Sequence, residues 1–446
     1  LNKIIIGLAA TVTGIGVIVG GALLPGRGDA GTGTAALRDP DTARALSPVA
    51  SNRDLDATIA TLESQVAGDR ASAETHASLG LAYLNKARAT ADPSWYTRAE
   101  DALTRSLETD DSENFTAFVG MGVLQGARHD FSDSLDWARR AQEVNPFNSF
   151  AYGIEGDALI QLGSANQADA AFQEMVDRRP DLGSFARIAY AREVRGDTKG
   201  AIEAMESARQ AAASPEDFAW TSYHLAELYV GSGRLKRAEK EYTRGAQADP
   251  QHHLPDEGFA HLAFTRGDYP EAIRLLSSVI DRVPLPDYMI ALGDLYLLAD
   301  EPDLAEAQYR RAEEKLAGFH AAGVNPDTEE ALFYADDLRD PARALEISKR
   351  LMEDRSTNFE VLDAHAWALH ATGRLAFAEK VIRRALAGSA GDPGVLFHAG
   401  VIAESLGKPR LALERYEAAV DADPYFSFRY SQVAQDRIEE LRGASS

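Results

Sequence analysis

The feature that most constrains this chain is a repeat of about 34 residues running from about residue 71 to about residue 424. Pro146 and Pro180 stand one period apart, as do Pro250 and Pro284, and Gly373 and Gly407. One period reads Tyr152, Gly156 and Leu159, then Gly163, then Ala168 and Phe172, and closes at Pro180. Self-similarity at this spacing signals small helical units that cannot bury their apolar faces alone and therefore stack into an array. Apolar residues at i, i+3, i+4 and i+7 give each helix one buried stripe. A small residue at the eighth position of the unit, and Ala at the twentieth, let two helices approach closely, and the aromatics fill the gap to the neighbouring unit. Gly-Asp recurs between the two helices, as in Arg195-Gly196-Asp197 and Arg266-Gly267-Asp268, where Gly supplies the left-handed turn that ends a helix. Pro after the second helix stops it.

The pattern resembles the tetratricopeptide repeat (TPR). Leu79, Gly80 and Tyr83 match its first helix, and Leu292, Gly293 and Tyr296 match again, with Ala305, Tyr309 and Ala312 on the second helix. Leu225, Ala226 and Tyr229 pair with Ala238, Tyr242 and Pro250, and Ala399, Gly400 and Ala403 with Ala412, Tyr416, Ala419 and Pro424. Units are expected to begin near residues 73, 115, 149, 182, 219, 253, 286, 325, 359 and 393. The resemblance covers roughly four-fifths of the chain. It implies an all-α fold, a right-handed solenoid of about ten TPR-like helix pairs; the uncharged amino end is expected to precede it with a single N-terminal transmembrane helix. Two units depart from the pattern. The first carries about seven extra residues around Ala89–Trp95, and the unit near 325–356 has Leu332 for the small residue, Ser356 for Pro and an unusual Arg339-Asp340-Pro341 turn. Local distortions of the solenoid are expected there.

The amino end is a different device. Ile4–Leu24 is uncharged, with Lys3 before it and Arg27 and Asp29 after it. That length can cross the hydrocarbon of a bilayer. Residues 1–25 are read as a transmembrane anchor or signal segment, with cleavage after Ala30 or Ala36 left open. An uncleaved anchor makes a single-pass membrane protein with its repeats outside the cytoplasm; cleavage makes a secreted one. Gly16 and Gly20 form a GxxxG match that would allow a homodimer in the membrane. Residues 26–53 are rich in Pro, Gly, Thr, Ala and Ser and read as a flexible linker. Residues 54–70 read as an N-terminal capping helix, 71–424 as the TPR array and 425–446 as a C-terminal capping helix, with Tyr430, Ala434, Ile438 and Leu441 inward.

Composition narrows the partners. There are 46 basic against 69 acidic residues, a net charge of −23, and no basic, aromatic-laced stripe, which argues against nucleic acid. With no cysteine, disulfides, thiol chemistry and cysteine-ligated zinc are excluded. No phosphate loop, nucleophile elbow or zinc-protease helix is spelled out. His252-His253 is expected in a solvated loop, the two Arg-Gly-Asp triplets in inter-helix turns, and Asn114-Phe115-Thr116 is a glycosylation sequon by spelling. No catalytic, cofactor-binding or metal-binding residue is assigned, and an enzyme is not expected.

In TPR arrays the first helix of each unit lines the concave groove. Carried onto this sequence, the groove positions are Tyr190, Trp220, Tyr223, Glu227, His261, Phe264, Asp294, Phe333, Asp336, Trp367, His370, Phe397 and Glu404. Rings offer large contact area at low entropic cost, and their acidic neighbours favour a protein or peptide partner with apolar anchors and basic flanks. Some of these rings, Tyr190 and Phe333 above all, could instead pack between units. Chaperone-binding TPRs hold a carboxylate tail with Lys and Asn. The matching positions here carry Ala77, Val119, Gly153 and Asp363 for Lys, and Asp157, Glu227 and Asp294 for Asn, so that clamp is absent. The expected function is a membrane-tethered protein–protein interaction scaffold. Alternatives are an accessory or architectural subunit in bacterial cell-envelope assembly or secretion, a cryptic enzyme, or a cytoplasmic protein with a misread amino end.

Overall fold

The computed structural model describes residues 52–68, 71–336 and 339–444, and among them it holds 22 helices and no strand. Helix α1 (Asn52–Val66) leads into ten antiparallel pairs. The first five are α2 (Ala73–Thr90) with α3 (Ser94–Thr109), α4 (Phe115–Ala127) with α5 (Phe131–Val144), α6 (Ser149–Gln161) with α7 (Ala165–Arg178), α8 (Leu182–Val194) with α9 (Thr198–Gln210), and α10 (Pro215–Gly231) with α11 (Leu235–Ala248). The second five are α12 (Leu254–Thr265) with α13 (Tyr269–Arg282), α14 (Pro286–Leu298) with α15 (Pro302–Ala321), α16 (Thr328–Ala335) with α17 (Pro341–Asp354), α18 (Phe359–Ala371) with α19 (Leu375–Gly388), and α20 (Pro393–Ser405) with α21 (Pro409–Ala422). Helix α22 (Ser431–Ala444) packs on α21 and ends the array. Only the fifth, sixth and eighth first helices start away from the spacing-based positions, by four residues, one and three.

The extra residues of the first pair lengthen α2 to 18 residues instead of making a long loop. The atypical eighth pair has a first helix of only eight residues. The segment Ile4–Leu24 with Gly16 and Gly20, and the linker up to residue 51, lie outside the described residues. Among the described residues no helix is long and apolar enough to cross a membrane.

The recurring small residue has a direct packing cause. A Cβ placed on Gly156 would fall 2.2 Å from the Phe172 ring, on Gly293 2.3 Å from Tyr309, and on Gly400 2.6 Å from Tyr416. Each ring lies flat against the bare backbone of the facing helix, a separation no side chain can share. The turns also match their sequence signals. Asp197 and Asp268 accept the backbone N–H groups of Gly200 and Glu271 and cap α9 and α13, so both Arg-Gly-Asp triplets are helix-capping turns.

The array curls far enough to touch itself. The turn inside each pair from the second to the fifth meets the loop that follows the second helix five pairs later. The carbonyl of Arg128 accepts the N–H of Asn325 at 3.0 Å. Gly163 sits so close to Thr357 and Asn358 that a Cβ would lie 2.5 Å from the Asn358 nitrogen, and its φ of 75° is one that glycine adopts freely. Gly196 meets Ala390, and Gly231 faces Asp423.

The strongest link joins α6 to the loop after α17. Arg355 donates from Nε to the Gln161 carbonyl (3.0 Å), from one Nη to Gln161 Oε1 (2.6 Å) and from the other to Asp327 (2.7 Å). Asn358 donates to the carbonyls of Ile160 and Gln161. These are the end-of-helix carbonyls that an α-helix leaves without partners. At the first pair, Asp92 and Pro93 face Pro284 and Phe319 across a cleft of about 940 Å³.

Candidate partner groove

First helices of the fifth to tenth pairs turn one row of side chains toward the inside of the curl. Glu227 and Asp294 hold the same place in their units, and both are buried. Each accepts a hydrogen bond from the tyrosine hydroxyl of its own pair's second helix, Tyr242 to Glu227 and Tyr309 to Asp294 at 2.7 Å. His261 lies 3.4 Å from Glu227. Burial pushes the Asp294 carboxyl up to about 6, against the pull of Arg429.

That inner row is covered by the chain's own end. Residues 425–430, Tyr-Phe-Ser-Phe-Arg-Tyr, form a non-helical crossing between α21 and α22. Phe428 packs edge-on to Phe264, ring centres 4.7 Å apart, and edge-on to His261 at 5.7 Å. Arg429 donates to Asp294 at 2.9 Å and to the Tyr309 hydroxyl at 3.3 Å. Tyr430 donates its hydroxyl to Asp336 at 2.5 Å and stacks on Phe397 at 4.6 Å. Asp336 also accepts from the Trp367 indole N–H at 2.7 Å. Phe426 also meets Phe397, with ring centres 5.8 Å apart.

The groove assigned from sequence therefore divides in two. His261, Phe264, Asp294, Asp336, Trp367 and Phe397 gather around the C-terminal crossing. Glu404 lies beside it, bonded to Tyr416 at 3.0 Å and paired with Arg437 of α22. His370 stacks on Trp367 and meets Ser405 at 2.9 Å. Phe333 packs between Tyr309 and Tyr334 and is an inter-unit contact. Tyr190, Trp220 and Tyr223 lie apart from the crossing, in the fourth and fifth pairs. The Tyr190 hydroxyl and the Trp220 indole N–H have no hydrogen-bond partner among the described residues. Of the thirteen, only Tyr190, Asp336, His370 and Glu404 are more than marginally accessible. Trp220, Tyr223, Phe264, Phe333, Trp367 and Phe397 are buried within the array.

Two other expectations are answered here. His252 and His253 are recessed, not in a solvated loop; burial lowers them to about 4 and about 3. Asn114 is buried and caps α4 while donating to Ser106, so its sequon is inaccessible in the folded chain. The residue most missed from the sequence is Arg429. The signal was present in the run of four aromatics around it, directly after the last repeat's Pro424.

Residues 221–252 and 258–318 match family models described as tetratricopeptide repeat. A curated relative, "Cellulose synthase 1 operon protein C" of Komagataeibacter xylinus, is 26% identical over 187 residues, 40% of this chain and 13% of that protein. The chain thus spans a small part of that relative's length. Solved structures with a similar course include yeast Tom70 (12% identity, 88% of this chain and 93% of that one, TM-score 0.36). Others are Cut9–Hcn1 of the APC/C hetero-tetramer (14%, 91% and 84%, 0.39) and Pseudomonas aeruginosa pilF (12%, 46% and 95%, 0.37). The chain carries tetratricopeptide repeats.

Proposed function

We propose that this chain is a membrane-tethered interaction scaffold whose repeats lie outside the cytoplasm, and whose inner groove grips an extended segment of a protein partner. The tetratricopeptide repeats support the scaffold role, and the uncharged run Ile4–Leu24 supports the tether. The observation that carries the groove assignment is the convergence of Asp294, Asp336, Trp367 and Phe397 from four different pairs on one strand of chain. A preformed acidic and aromatic surface favours a segment with apolar anchors and a basic residue. The same acids repel a carboxylate tail, so acidic C-terminal peptides should not bind at physiological salt.

Two measurements test this. A photo-crosslinking amino acid at Tyr190 or His370 should join the chain to a discrete partner in cells, and the same probe at exposed Lys199 should not. Identical products from all three positions reject the groove. Protease added to intact cells should cut the repeats; protection until lysis rejects the tether and its orientation.

A second reading is favoured by the relative from a cellulose synthase operon: an accessory or architectural subunit in envelope assembly. There the solenoid acts as a spacer. Deleting residues 1–25 should then abolish the cellular role even where partner crosslinking persists.

A further inference from the structure

We propose that residues Tyr425–Tyr430 are an internal occupant of the groove, and that the partner segment which replaces them has the same chemistry: two aromatic rings one residue apart, then an arginine and a third ring. This rests on the scaffold reading above and adds both the identity of the motif and a competition that controls access.

Three features of the site support it. The crossing is held by side chains reaching into pockets built by other pairs: Phe428 against Phe264, Arg429 on Asp294, Tyr430 on Asp336 and Phe397. That is the geometry of a bound peptide, with anchors in successive pockets. The acids also specify what must replace it. Asp294 is 2% exposed, and withdrawing Arg429 would leave a buried carboxylate without its cation, a costly state. Opening is therefore favourable only when an incoming cation and hydroxyl take the vacated places. Finally, the occupant is tethered. Attachment a few residues beyond α21 gives it an effective concentration in the millimolar range, and a partner's apparent affinity falls by the fraction of molecules that are open. Loosening the crossing should therefore raise affinity without changing any groove residue.

The experiment uses the full chain and a fluorescent peptide with the sequence of residues 422–434, Ala-Asp-Pro-Tyr-Phe-Ser-Phe-Arg-Tyr-Ser-Gln-Val-Ala. Anisotropy should show binding to the Arg429→Glu variant at least about tenfold tighter than to wild type. Phe428→Ser should behave the same way, with circular dichroism confirming that both variants are folded. Adding Asp294→Lys to Arg429→Glu restores an ion pair of reversed sign, and should close the groove and abolish peptide binding. Equal binding by wild type and both single variants would overturn the proposal, as would absence of binding to variants that are folded. Dimerisation of Arg429→Glu in light scattering would also overturn it, by assigning the groove to the tail of a second copy. Crosslinking from Tyr190 and His370 scores the scaffold reading separately, because it does not depend on this peptide.

Discussion

At the scale of single residues, the positions written most plainly in the sequence are those where two helices touch. Gly156 is legible because nothing larger fits against Phe172. Gly156→Ala should cost about 1–3 kcal/mol through overpacking, since the new methyl meets the ring of a fully buried side chain. Gly318 has open space around its Cβ direction inside α15, so Gly318→Ala should be stabilising by up to about 1 kcal/mol. Urea denaturation of the two variants measures both, and an equal cost would reject the packing account.

Glu257 is less legible, because its environment comes from other pairs. Burial, with Glu227 nearby, raises its carboxyl well above the ordinary 4.5. In the folded chain it keeps its proton where the unfolded chain has lost it. The unfolded state then binds fewer protons, and stability falls as pH rises from about 4.5 through neutrality, by up to roughly 1 kcal/mol per pH unit. Glu257→Gln should make the pH dependence of the melting temperature shallower between about pH 4.5 and 8. An unchanged slope would show that Glu257 is ionised in the fold.

At the scale of elements, helix pairs and their turns follow from local signals, whereas the partners of those turns do not. The His129-Asp130 turn shows both sides. Asp130 caps α5, as its position beside a helix start implies. His129 takes a φ of 59° in the place where other turns use glycine, and its ring meets Asn325 and Asp327, nearly two hundred residues away. Burial alone would raise the Asp327 carboxyl, but Arg355 and His129 hold it well below the usual range. Removing Arg355 leaves that charge buried without its partner. Arg355→Ala should therefore destabilise by about 3–5 kcal/mol. Replacing both partners, Arg355→Met with Asp327→Leu, should recover much of the loss, because two apolar groups leave no orphaned charge. Guanidinium denaturation of the single and double variants checks this, and a double variant no better than the single one would reject it.

At the scale of the whole molecule, an ordinary solenoid contacts itself only through neighbouring units and can unfold piecemeal. Here the second to fifth pairs are each joined to a loop five pairs later, so distant units share the same contacts. Unfolding should be one cooperative transition in wild type, and it should separate into two in Arg355→Ala combined with Asn358→Ala. Hydrogen exchange, with pair-by-pair protection, distinguishes these outcomes; two transitions in wild type would show that the seam does not couple the turns. The sequence by itself determined the helices, their pairing and most of their starting residues, because close approach, capping and turn chemistry act over a few residues and recur with the period. The tertiary structure alone decided that the array meets itself and that Phe428, Arg429 and Tyr430 pack on Phe264, Asp294 and Asp336. The curl sums small rotations at each pair, set by helix lengths and ring sizes, and a change of a few degrees per pair would move every distant contact. No local pattern records that sum, so the register of the repeats was legible and the segment that crosses their inner row was not.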